Sequence, residues 1–213
     1  MKSRILLAGV SALLFATAAQ AQVAVSVWTG QPAAANDATI AQAGTLGPAD
    51  LTTTVSGINF TDAPFNSDST TVGYFLGNPL LSSATLDNSY FLFTGTIYLD
   101  AGVNNFDITH DDGVALELNN GALVSALSAG PTSPTTTGFT ITAPSAGSYN
   151  YTLSYGECCG GPAVLNWSYL NGTPVGDLPE PATWAMMLLG FGGIGMAMRA
   201  RRRRREDVLP QVA

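Results

Sequence analysis

FDITHDDGVALELNNG, residues 106–121, alternates apolar and polar side chains on both sides of an acidic centre. Phe106 and Ile108 alternate with Asp107 and Thr109; Val114, Leu116 and Leu118 then alternate with Ala115, Glu117 and Asn119. A period of two puts each set on one side of an extended chain, so both halves read as strands with one buried face. Asn119-Asn120-Gly121 supplies residues that tolerate positive φ and closes a hairpin. Between the two strands lie His110, Asp111, Asp112 and Gly113, a turn that carries two adjacent carboxylates.

The alternation continues outward. Upstream, Phe91, Phe93, Ile97 and Leu99 share a face opposite Thr94, Thr96 and Tyr98, and Asp100-Ala101-Gly102 makes a turn. Downstream, a Pro/Thr-rich loop leads to Phe139 and Ile141. Tyr149, Tyr151, Leu153 and Tyr155 then form one face, and Leu165, Trp167 and Tyr169 another. Near the start, Gln22–Trp28 alternates Val23, Val25 and Val27, and Leu51–Phe60 is a Thr/Val-rich strand interrupted at Gly57. Pro32–Pro48 is Ala-rich and is predicted to carry one short helix around Ala38–Ala43. Ala63–Asp87 is full of Pro, Gly, Ser and Asn and reads as loops with one strand at Val72–Leu76. Many short alternating strands with turn signals between them predict an all-β fold, an antiparallel β-sandwich over residues 22–169.

Both ends of the chain read as targeting devices. Lys2 and Arg4 precede an apolar run from Ile5 to Ala19 that ends in Ala19-Gln20-Ala21, the pattern of a signal peptide over residues 1–21. That predicts handling by the secretion machinery and signal peptidase. At the far end, residues 170–178 read as a flexible linker, followed by Pro179-Glu180-Pro181 and an uncharged apolar run from Trp184 to Met198. Arg199 and the unbroken cluster Arg201, Arg202, Arg203, Arg204 and Arg205 come next, then a tail of residues 206–213. The apolar run is 15 residues long. At ~1.5 Å per residue it is shorter than the ~30 Å hydrocarbon layer. Snorkelling by Arg199 and an interfacial Trp184 still allow a single transmembrane helix over 184–198, with the arginines cytoplasmic.

The eight basic residues all lie in those two ends. Gln22–Asp177 has none, against ten Asp and two Glu, a formal charge of −12. Such a segment repels nucleic acid and anionic membrane and favours bound cations, so nucleic-acid binding is excluded.

The order Pro179-Glu180-Pro181, Trp184-Ala185-Met186, glycine-laced apolar run and arginine cluster 201–205 resembles the PEP-CTERM sorting signal, which spans 179–205 here. The resemblance implies recognition by an exosortase, a membrane protease acting near the Pro-Glu-Pro, and delivery to the cell surface or beyond. The stretch from Phe106 to Gly121, followed by Ala146-Gly147-Ser148-Tyr149, Tyr155-Gly156-Glu157 and Ala163–Trp167, resembles the protective-antigen-type lectin-like β-sandwich. That family includes flocculins and domains appended to glycosidases, which implies carbohydrate binding or adhesion. In its adhesin members the paired aspartates hold calcium beside the sugar, and Asp111 and Asp112 occupy those positions.

The residues alone leave two readings of the acid pair. Adjacent carboxylates repel unless a cation or backbone N–H groups hold them, so Asp111 and Asp112 either bind a metal such as calcium or cap their own turn. Glu157 joins them as a ligand-binding candidate. A single histidine, His110, makes neither a zinc site nor a triad. Glu117, Glu157 and Asp112 are the residues for a glycosidase acid–base pair, but no nucleophile motif or basic group accompanies them. No enzymatic activity is expected.

Cys158-Cys159 allows a vicinal disulfide, two thiols or an intermolecular bridge. Export, the absence of other cysteines and the flanking Gly156 and Gly160-Gly161-Pro162 favour the vicinal disulfide. The expected function is therefore a non-enzymatic, carbohydrate-binding surface or matrix protein linked to exopolysaccharide or biofilm. The competing class is a purely structural envelope protein, and ice binding stands third.

Overall fold

The computed structural model describes residues 22–62, 69–119, 122–125, 128–169, 175, 188–194 and 199. One compact unit spans Gln20–Pro179 and contains every strand below; Met1–Ala19 with Glu180–Ala213 forms a second. In the second unit residues 188–194 are helical, and Leu188, Leu189, Phe191 and Ile194 are exposed. The signal peptide over 1–21 and the tail over 206–213 lie outside the described residues. So do Pro179, Glu180, Pro181 and Trp184 of the sorting segment, and its cluster Arg201, Arg202, Arg203, Arg204 and Arg205. Of the span expected over 184–198, only 188–194 is described as helix. Among the described residues, no helix is long and apolar enough to cross a membrane.

The first unit is a sandwich of two antiparallel sheets, in line with the alternation. One sheet contains β1 (Val23–Trp28), β2 (Leu51–Val55), β4 (Ser89–Leu99), β6 (Gly113–Leu118), β7 (Val124–Ser125) and β9 (Gly147–Glu157), ordered β2-β1-β4-β9-β6-β7. The other contains β3 (Asn59–Thr61), β5 (Gly102–Asp111), β8 (Thr135–Ala143) and β10 (Val164–Tyr169), ordered β3-β10-β5-β8.

Inward faces meet as the sequence pattern requires. Phe91, Phe93, Leu116, Leu153 and Tyr155 from the first sheet pack with Phe106, Ile108, Leu165 and Trp167 from the second, all fully buried. Tyr151 meets Trp167 edge-on across the layers, with ring centroids 4.8 Å apart. Burying one Phe side chain contributes roughly 1.5–3 kcal/mol. With no basic residue in Gln22–Asp177, this apolar core carries the stability that ion pairs cannot.

A second, smaller cluster covers the outer face of the larger sheet, where Trp28, Ala34 and Tyr90 are buried together. The covering segment is tied down by Trp28 Nε1 donating to the Gly47 carbonyl (2.7 Å) and Tyr90 Oη donating to the Thr39 carbonyl (2.9 Å). It contains α1 (Pro32–Ala35) and a 3₁₀ turn (Ile40–Gly44), not one helix around Ala38–Ala43. Pro32 starts α1 early because its fixed φ suits a first helical position.

A second correction concerns Val72–Leu76, which is not a strand. Val72–Phe75 is a helix, α2, whose Tyr74 N–H donates to the Thr71 side chain (3.2 Å). Val72, Phe75 and Leu76 are buried while Tyr74 is exposed, a spacing of three and four that fits a helix better than alternation. A third difference lies in the linker: Val175 is fully buried, and its N–H donates to the Trp167 carbonyl (2.8 Å). The chain is therefore docked on the sandwich at that point.

Two connections between the sheets shape one end of the sandwich. Asp112 alone carries the chain from β5 in one sheet to β6 in the other, and 158–163 carries it back from β9 to β10. Gly113 pairs with Gly156, and Asp111 pairs with Val164, so both crossings lie at the same end. A Cβ on Gly113 would overlap the Ala129 carbonyl, and one on Gly156 would overlap the Ala35 carbonyl. These two glycines let outside loops press against the sheet. We expect Gly113→Ala to cost about 3 kcal/mol, lowering the midpoint by roughly 6–12 °C in thermal melts; an unchanged midpoint would mean that the Ala129 loop does not pack there.

Candidate cation and ligand site

Three chain segments line a pocket at the crossover end. Asp111 ends β5, and Asp112 follows it through a cis peptide bond. Both carboxylates are nearly buried, at 5% and 3% exposure, yet they line an open pocket of about 430 Å³. Pro131, Thr132, Ser133 and Pro134 form one wall; Cys159, Gly160, Gly161 and Pro162 form the other.

Asp112 is held from both walls. Its Oδ1 accepts the Thr132 N–H (3.1 Å) and its Oδ2 accepts the Cys158 N–H (2.9 Å). Its carbonyl lies 2.6 Å from His110 Nδ1, so that nitrogen carries the ring proton. His110 is fully buried, and its Nε2 has no hydrogen-bond partner among the described residues. Cys158 and Cys159 are joined in a vicinal disulfide, with Cys158 buried and Cys159 exposed.

Glu157 sits elsewhere. It is fully buried, and Tyr155 Oη bonds to its Oε2 and to the Asp111 carbonyl. It is not among the residues that line the pocket. Asp62, just beyond β3, is the residue that sequence reading missed. It is fully buried, its Oδ1 accepts the Ala163 N–H (2.8 Å), and its Oδ2 has no partner among the described residues. The signal was present: Asp62 is two positions after Phe60, which places a carboxylate on the inward face.

Burial raises the proton affinity of all three acids, and for Asp111 the neighbouring acids add to it. Burial, then the charge and hydrogen bond of Asp112, then the charge of Asp62, push the Asp111 carboxyl up to about 7. Asp112 is also raised by burial, against the opposing pull of the Cys158 and Thr132 N–H groups. Burial raises Asp62 as well. Burial lifts the Tyr155 phenol well above its ordinary value, and the Glu157 charge adds to it.

The chemistry of the donors selects the cation that fits. Two carboxylates without a basic partner among the described residues, open to water on one side, suit a hard cation that takes oxygen ligands, and calcium is such an ion. Asp112, Cys158 and Cys159 also bring ligand atoms within 4.8 Å of one another. Both sulfurs belong to the disulfide and are not thiolates, so that trio does not make a soft-metal site.

Comparison with solved structures places this architecture. The PA14 domain of the MpAFP antifreeze protein superposes with a TM-score of 0.52 at 20% identity, over 72% of this chain and 84% of that one. The PA14 sugar-binding domain from an RTX adhesin gives 0.50 at 19%, over 74% and 95%. The domain has the PA14 fold. This agrees with the resemblance carried by residues 106–121 and by the segments after them. An anti-sigma factor domain-containing protein gives 0.50 at 15%, over 75% of this chain and 47% of its own. In this PA14 framework, Asp111–Asp112 is the β5–β6 crossing and Cys158–Pro162 lies in the β9–β10 crossing. Residues 177–204 match the PEP-CTERM protein-sorting motif. The match takes in Pro179, Glu180, Pro181, Trp184 and the arginines Arg201, Arg202, Arg203 and Arg204; Arg205 falls one position beyond it. No curated protein matches the chain.

Proposed function

We propose that this is an exported, exosortase-sorted surface protein whose PA14 domain binds carbohydrate at Asp111 and Asp112 with the help of calcium. One observation carries the reading: two nearly buried carboxylates with no basic partner among the described residues open into a pocket between residues 131–134 and the 158–163 crossing. Asp111 and Asp112 would hold the ion. Calcium bound there supplies coordination positions that sugar hydroxyl oxygens can fill. The chain's own part is to fix the geometry: Thr132 and Cys158 orient Asp112, and Tyr155 steadies the Asp111 carbonyl. Pro131, Pro134 and Pro162 give the pocket uncharged walls. A domain of net charge −12 favours neutral sugars over acidic ones.

The sorting motif supports processing by an exosortase and delivery to the surface, where an exopolysaccharide matrix would supply the ligand. A glycan array on Gln22–Asp177, with calcium and with chelator, tests the reading. Calcium-dependent retention of neutral glycans is the expected result. A folded domain that retains none under either condition would leave a structural surface protein as the function.

A further inference from the structure

The loop that carries the disulfide is anchored at both ends, and between them it touches the rest of the domain through the Cys158 N–H on Asp112 Oδ2 (2.9 Å) and through Cys159 Sγ beside Asn36 Oδ1 (3.6 Å). On one side β9 is pinned where Gly156 lies against the Ala35 carbonyl. On the other, the Ala163 N–H donates to Asp62 Oδ1 (2.8 Å) and the Asp62 N–H donates to the Ala163 carbonyl (3.1 Å). Between these anchors run residues 158–162, where Cys159 has φ +67° and Gly160 has φ +102°. The left-handed region is disfavoured for a residue with a Cβ, so Cys159 stays there because its surroundings hold it. The covalent restraint on Cys159 is its bond to the buried Cys158, whose N–H is the donor to Asp112 Oδ2. Cys159 is the exposed residue of the pair and belongs to the pocket wall.

We infer that the Cys158–Cys159 disulfide is a redox latch on the ligand site: closed, it positions Asp112 through the Cys158 N–H; opened by a dithiol, it releases that contact and weakens cation binding. This rests on the cation reading above. The chemistry balances as ordinary thiol–disulfide exchange. A thiolate of the dithiol attacks Sγ of Cys159, the exposed residue of the pair, the S–S bond breaks, and Cys158 leaves as a thiolate that takes up a proton. The second thiol of the reductant attacks the mixed disulfide and frees Cys159, which is also protonated. The protein gains two electrons and two protons, and the dithiol becomes a cyclic disulfide. Cys159 is then free to leave its left-handed conformation, and the 158–162 segment relaxes away from Asp112.

The test measures calcium affinity of the exported protein by titration calorimetry in three forms: oxidised, reduced with dithiothreitol, and Cys158→Ser/Cys159→Ser. Mass spectrometry confirms the redox state, the oxidised form being lighter by two hydrogens. The expected result is at least about tenfold tighter binding by the oxidised form than by the other two, with reoxidation restoring the wild type but not the variant. Amide exchange at Cys158 should accelerate on reduction. Equal affinities in the oxidised and fully reduced wild type would overturn the latch while leaving the cation site intact. If no form binds calcium, the cation reading fails, and the Cys158 amide and the Asp112 carboxyl carbon shift then decide the latch. A change in both on reduction supports it, and no change overturns it.

Discussion

Asp112→Ala is expected to abolish the calcium-specific rise in melting temperature and to lower stability even in chelator. The second effect follows from the hydrogen bonds. Without the carboxylate, the Cys158 and Thr132 N–H groups lose their acceptor, at about 1–3 kcal/mol for each one left unsatisfied. Relief of repulsion from Asp111 offsets part of that loss, so a net cost of about 2 kcal/mol is expected. The first effect follows from linkage. A cation that binds only the folded state at a hundredfold excess over its Kd adds about 2.7 kcal/mol. Asp111→Asn separates the two roles. It removes one charge of the pair while leaving both N–H contacts of Asp112 in place, so it should lose the calcium response without the penalty in chelator. Thermal melts in calcium, magnesium and chelator check all three proteins. A response that is equal in magnesium and survives Asp112→Ala would show only the general effect of the −12 charge. The pair would then be a turn cap.

The features that can be read in the sequence are the local ones. Residues 106–118 announce two strands and their buried faces, because burial imposes a period of two on neighbouring residues. The acid pair at their junction is equally visible. What the string cannot display is that the junction crosses between sheets, since both strands keep the same alternation in either arrangement. Nor does it show Asp112 joined to Thr132, 20 residues on, and to Cys158, 46 residues on. Those contacts arise only once β5 pairs with β10 and β6 with β9. Val72–Leu76 misleads for the opposite reason. The segment is too short for its period to separate a helical turn from a strand, and the Thr71 cap decides between them. Glu157, a ligand-binding candidate in the sequence, is turned inward by its strand to Tyr155 and does not line the pocket.

The pH dependence of the metal-free domain is expected to run opposite to that of most acidic proteins. An ordinary salt-bridged carboxylate has a lowered pKa and loses its contribution as the pH falls. Here Asp111 moves from 3.8 up to about 7 because burial and the neighbouring Asp112 and Asp62 penalise its charge. Between those two values the folded state keeps a proton that the unfolded state has released. Stability must therefore fall as pH rises from about 4 to about 7. The slope for one proton is at most about 1.4 kcal/mol per pH unit, and it is smaller here because the pocket opens to water. Asp112 and Asp62 shift in the same direction and add to the trend. Calcium changes the sign. The ion takes the ionised pair, so below about pH 7 it must displace the Asp111 proton, and its affinity should rise up to tenfold per pH unit before levelling off. Melting curves at pH 5, 6, 7 and 8 should thus diverge as the pH rises: falling stability in chelator, and a growing calcium increment along the same axis. Asp111→Asn removes the titrating proton and should flatten most of the chelator series. A chelator series that rises steadily from pH 5 to 8 would mean that Asp111 is ionised throughout, and that the carboxylates are neutralised by something other than a shared proton or a metal.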